Sequence, residues 1–219
     1  MIATIKKAFG CRYLRGALIA VGVVVVLLMV AVENNTNAQN IVDLEQALNE
    51  GKVALENTKG TGRSSGSVIK SELHNLTNRA LKIFTHIGQG LFLRNGGVGQ
   101  NMIATEIYHS SGQYWVENGK NIIKVDANGR EDIVLVAYCV DFEKNNPTPQ
   151  ERFSISSIPR NFEHVLRDIQ AYRERYPDKD ITVPAQVALW FSKGYTLREI
   201  RKKFAVSSPE AELATQLTQ

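Results

Sequence analysis

The period of apolar positions changes twice along the chain. Ala17 to Val32 (ALIAVGVVVVLLMVAV) has no polar side chain and therefore no period. From Ser67 to Phe142 apolar and polar residues alternate in short runs: VIKSELHNL, ALKIFTHI, GLFL, NMIATEIYH, QYWVEN, NIIKV and IVLVAYCVDF. Period-two runs of this length, separated by Asn95-Gly96-Gly97, Asn118-Gly119 and Asn128-Gly129, predict strands joined by tight turns and an antiparallel sandwich. Beyond Asn145-Asn146-Pro147-Thr148-Pro149 the spacing becomes helical. Phe162, Val165, Leu166, Ile169 and Tyr172 share one face of Arg160 to Tyr176, and Val183 to Phe191 is apolar nearly all round. Thr196 with Glu199 forms a capping box, and Ser208-Pro209 followed by Glu210 starts a last helix.

Ahead of the strands, Ile41 to Asn57 carries Ile41, Leu44 and Leu48 at helical spacing, and Thr58 to Gly66 (TKGTGRSSG) has almost nothing to bury. A short helix and a flexible linker are predicted. The fold class expected is therefore α+β: an antiparallel β-sandwich followed by a C-terminal helical segment, preceded by an N-terminal signal or transmembrane helix. Residues 1–38 form the leader, 39–66 the helix and linker, and 67–219 the folded domain.

The leader sets the compartment. Lys6, Lys7, Arg12 and Arg15 precede the apolar run with no acidic residue among them, the layout of an export signal. Sixteen residues reach roughly 24 Å, short of the ~30 Å hydrocarbon core, and Thr36-Asn37-Ala38 offers a cleavage site. If the segment is kept, its basic residues stay in the cytoplasm and the chain from Glu33 onward lies outside, membrane-anchored. Cleaved or kept, the expected location is extracytoplasmic.

Charge then excludes a partner class. Most of the net charge of +4 comes from the leader, which holds four of the 26 Lys and Arg and one of the 22 Asp and Glu. The remainder is nearly neutral and lacks the excess that phosphate contacts require, so nucleic acid is not an expected partner. The basic cluster Arg198, Arg201, Lys202, Lys203 reads as the solvated face of a helix. His74, His86, His109 and His164 have no metal-ligand spacing, and no phosphate loop is present, so no cofactor or metal is expected.

Cys11 lies in the leader, which leaves Cys139 alone in the exported part, where no intramolecular disulfide can form. Its simplest reading is a small buried hydrophobe. The alternatives are an intermolecular disulfide, a catalytic thiolate, or a covalent bond to an atom other than sulfur. Ile133, Leu135, Ala137 and Cys139 alternate with Val134, Val136, Tyr138 and Val140, so both faces of this strand are apolar and it is expected to be central. In VPAQVALWF the one polar side chain is Gln186, which at roughly 100° per residue falls between Leu189 and Trp190 inside the apolar surface. A buried carboxamide needs partners. It either hydrogen-bonds a strand or loop backbone, or it meets the Cys139 thiol, which can displace ammonia and leave an internal thioester. That bond needs burial against water and close approach of the reacting atoms.

Tyr138-Cys139-Val140 resembles the aromatic-Cys-aliphatic motif of the bacterial thioester domains of surface adhesins. Ala185-Gln186-Val187-Ala188-Leu189-Trp190 resembles their apolar-Gln-x-x-apolar-aromatic motif. The likeness spans about Ser67 to Gln216, and its specificity lies in these two motifs; Ala185 stands where the family often has Thr. The resemblance implies that Cys139 is the thiol donor and Gln186 the acyl donor, with Tyr138 and Trp190 in support. It further implies a thioester that captures an amine on a partner protein or surface, not an enzyme. The alternative from another class is a non-covalent structural or binding module of the cell envelope with the same fold. A cysteine hydrolase using Cys139 and His164 has no local support, because a covered strand hides its nucleophile from substrate.

Overall fold

The computed structural model describes residues 41–84, 86–112, 115–117 and 120–219. The predicted leader, Tyr114 and the Asn118-Gly119 turn lie outside these residues. All seven alternating runs are strands: β3 (Ser65–Asn75), β4 (Leu81–Phe84), β5 (His86–Asn95), β6 (Met102–His109), β7 (Trp115–Glu117), β8 (Lys120–Val125) and β9 (Arg130–Cys139). They are joined by β1 (Ile41–Asp43), β2 (Val53–Gly60) and β10 (Phe153–Ser156). Two sheets result, one in the order β1-β4-β8-β7 and one in the order β10-β5-β6-β9-β3-β2, antiparallel throughout except for the β1–β4 pair. The consecutive strands β4 and β5 belong to different sheets, as in sandwich- and barrel-like β cores. With five helices, α1 (Leu44–Asn49), α2 (Arg160–Arg175), α3 (Thr182–Ser192), α4 (Leu197–Ile200) and α5 (Ser208–Gln216), the described chain is α+β with a sandwich-like or barrel-like β core.

The expected boundary at residue 67 is corrected. Residues 41–219 form one compact unit, and the stretch read as helix and linker holds β1 and the six-residue α1 before β2 joins the six-stranded sheet beside β3. This strand hides from a hydrophobic pattern because, beyond Val53, its fully buried positions are Thr58 and Gly60. Thr58 Oγ1 and Ser71 Oγ lie 2.7 Å apart inside the sheet, and Ser71 Oγ donates to Glu56 O at 2.9 Å. Gly60 is needed for close approach: a Cβ there would come within 2.5 Å of Pro147 O. What composition presents as flexibility is a tightly held sheet edge.

The helices follow their sequence signals closely. α2 buries Phe162, Val165, Leu166 and Ile169, and Arg173 and Arg175 stand in its last turn where they favour the negative end of the helix dipole. α3 buries every residue from Pro184 to Trp190 and packs against β3, β9, α2 and α5, which explains its apolar surface all round. Capping boxes close α4 (Thr196, Glu199) and α5 (Ser207, Glu210). Buried Asn75 fixes the β3–β4 connection by donating to Arg79 O and Asp126 O, both at 2.8 Å, and accepting from Thr77 N at 3.0 Å.

Candidate functional site

β9 is interior, between β3 and β6, and its C-terminal end is where the site forms. One face is sealed along its length by Ile133, Leu135, Ala137 and Cys139. The expectation that both faces are fully covered is corrected in part: Val134 and Val136 are half-buried, and the second face closes only at Tyr138 and Val140. Ladder pairing ends at Met102↔Cys139 on one side and Ser65↔Tyr138 on the other, so Cys139 is the last residue of the strand. Its backbone groups then need partners from elsewhere.

Gln186 provides them. Cys139 N–H donates to Gln186 Oε1 at 2.8 Å, and Gln186 Nε2 donates to Cys139 O at 2.7 Å. Cys139 N–H is shared with Ser64 O at 3.1 Å. Both residues are fully buried. The two bonds tie the edge of the carboxamide to both backbone polar groups of Cys139. The structure thus brings together Cys139 and Gln186, which stand 47 residues apart in the chain. The thiol itself donates to Met102 Sδ at 3.5 Å. Burial, reinforced by the charge of Asp141, pushes its pKa up to about 12, so the free sulfur is a neutral thiol at physiological pH.

No known protein family, characterised protein or solved structure matches the chain.

The supporting residues take separate positions. Trp190 is one helical turn beyond Gln186 and packs edge-on against Phe142 (centroids 4.9 Å apart) and Phe204 (5.2 Å). Tyr138 is turned to the opposite face of β9, where its hydroxyl meets Arg173 of α2; Arg173 also meets Glu106 and donates to Thr105 Oγ1 at 3.1 Å. Thr105 is available because β6 slips register against β9 between Ala104 and Glu106, a bulge beside the site. Burial raises the Tyr138 pKa to about 12, with Arg173 opposing the rise and Glu106 and Asp180 adding to it.

Several residues at the site carry no motif. Asp141 accepts from Asn101 Nδ2 at 2.8 Å, Asn101 N at 3.1 Å and Lys193 Nζ at 2.9 Å. Burial acts to raise its pKa, but the bonds from Lys193 and Asn101 and the charges of Lys193 and Lys144 outweigh it and hold the carboxyl below its usual value. Asn101 O in turn accepts Val140 N–H at 2.9 Å, so this cluster fixes the chain leaving β9. His164 pairs with Asp168 at 2.9 Å along α2, and Trp115, 60% exposed, stacks under Lys124 Nζ at 4.2 Å instead of entering the core.

Proposed function

We propose that this chain is an exported cell-envelope or surface protein that attaches covalently to an amine-bearing partner through a thioester between Cys139 Sγ and Gln186 Cδ. The fold it uses is a two-sheet sandwich closed by its C-terminal helices, similar to bacterial thioester domains. The leader releases it or anchors it to the membrane. The observation that carries the reading is the buried Gln186 carboxamide held by both backbone groups of Cys139.

In forming the bond, Sγ adds to Cδ, the Cδ–Nε2 bond breaks, and the thiol proton leaves with nitrogen as ammonia. The Cys139 N–H already bonded to Oε1 polarises the carbonyl and stabilises the charge that gathers on that oxygen during attack. The amide is a poor electrophile, so fixed orientation supplies much of the assistance. Burial of both residues keeps water from hydrolysing the product. In capture, the partner's amine nitrogen bonds to Cδ, the Cδ–Sγ bond breaks, and a proton returns to sulfur. The thioester is consumed, so each molecule acts once and turnover is not expected.

The second reading is a non-covalent envelope module in which Gln186 only fastens α3 to the end of β9; both amide atoms being satisfied favours it. Methylamine separates the two. The covalent reading predicts one methylamine per chain at Gln186, by peptide mapping, and none in Cys139→Ala. Absence of uptake by well-folded protein would sink the covalent reading.

A further inference from the structure

A cleft of about 460 Å³ opens where strands of both sheets meet. His109 at the end of β6 and Glu131 near the start of β9 line it, together with Trp115 of β7 and Lys124 of β8, and the buried Ile122 and Ile123 back it. Its volume lies in the range of small-molecule sites. The side chains of His109 and Glu131 are each 32% exposed, so both reach the solvent. Ser111 N–H donates to His109 Nδ1 at 3.2 Å, which leaves the ring proton on Nε2, and Nε2 faces Glu131 Oε2 at 3.0 Å. The carboxylate is therefore held in one orientation, and its second oxygen, Oε1, has no hydrogen-bond partner among the described residues. Trp115 is 60% exposed on the edge strand of its sheet. Lys124 Nζ lies 4.2 Å from the centroid of its ring and makes no ion pair among the described residues. A lysine ammonium on a flexible stem carries three donors, so it can leave the ring face to a ligand and bond that ligand from the edge.

We infer that this cleft binds a neutral, gluco-configured sugar, its ring stacked on Trp115, one hydroxyl donating to Glu131 Oε1 and another accepting from Lys124 Nζ. The charges select the class: a cation would be repelled by Lys124 and an anion by Glu131, whereas a hydroxyl both donates and accepts. The indole selects the shape, because a pyranose with every substituent equatorial presents a flat C–H face, which a peptide backbone lacks. Neither Cys139 nor Gln186 takes part, so this site stands or falls apart from the thioester.

The test uses the full chain with its two tryptophan indoles 15N-labelled. Cellobiose should shift the Trp115 indole signal saturably, with a dissociation constant in the millimolar range or tighter, and leave that of Trp190, which is 3% exposed, in place. Tetramethylammonium, inorganic phosphate and Nα-acetyl-glycine N-methylamide at the same concentration should leave both signals unmoved. Lys124→Met and Glu131→Gln keep Trp115 and change surface side chains, and each should weaken cellobiose binding at least about fivefold, the worth of one hydrogen bond. A cation site would instead gain affinity for tetramethylammonium in Lys124→Met, and an anion site for phosphate in Glu131→Gln. No saturable Trp115 shift with cellobiose, an equal or larger response to any of the other three probes, or wild-type affinity for cellobiose in both variants would overturn the inference.

Discussion

Gln186→Met in a Cys139→Ala background isolates what the carboxamide does for stability, because no thioester can form there. Met matches the length of Gln and keeps the helix buried, so repacking costs under about 1.5 kcal/mol. Two hydrogen bonds of 2.8 and 2.7 Å are lost, each worth about 1 kcal/mol net. The consequences differ at their two ends. Cys139 N–H still has Ser64 O at 3.1 Å, whereas Cys139 O loses its bond to Gln186 inside a fully buried site, and an unsatisfied group there costs about 1–3 kcal/mol. The expected loss is about 2–4 kcal/mol. With a urea slope of about 2 kcal/mol/M for a domain of this size, the midpoint should fall by about 1–2 M at unchanged slope. Urea titrations followed by circular dichroism read this directly. A loss under about 0.5 kcal/mol would refute the claim that Gln186 secures the end of β9.

Arg173→Met should cost about 2–3 kcal/mol in the same assay, since it leaves Glu106 and the Tyr138 hydroxyl without their helix partner; the effect is held below that of a fully buried pair by the 21% exposure of Glu106. In protein whose Cys139 thiol is free, the thiol titrates near its ordinary value of 9.0 when unfolded and at about 12 when folded, and Tyr138 moves likewise from 10.0 to about 12. Both raised values favour the protonated, folded state, so stability is complete below about pH 9 and falls as pH rises towards 12; urea midpoints that stay level across that window would contradict the burial of both groups.

Much of this molecule could be read from its sequence, and the exceptions have physical causes. The seven alternating runs and the helices after Pro147 were legible because their buried faces are apolar and periodic. β2 was not, because beyond Val53 a Thr58–Ser71 hydroxyl pair is buried where apolar contact would mark a strand, and Gly60 is required by Pro147 rather than by flexibility. β10 (FSIS) is a four-residue edge strand with little to bury and no pattern to betray it. At the site, Gln186 stood out as one polar residue in an apolar helix, and its pairing with Cys139 followed from both elements being covered. The Asn101–Asp141–Lys193 cluster was not legible because it joins two loop residues and a helix C-cap through polar side chains, where no periodicity operates. Arg173 had no pattern to mark it, and only the packing of α2 over Tyr138 gives it a buried partner.

The central claim is the bond between Cys139 and Gln186, and the intact mass of the purified chain tests it without any probe. Measured by mass spectrometry under mildly acidic conditions, which spare a thioester, the protein should be one ammonia lighter than its sequence from the observed N-terminus. Cys139→Ala and Gln186→Met should each carry their full sequence mass. A wild-type chain at full sequence mass, with Cys139 alkylated on unfolding, would contradict the covalent account and leave Gln186 as the fastening between α3 and β9.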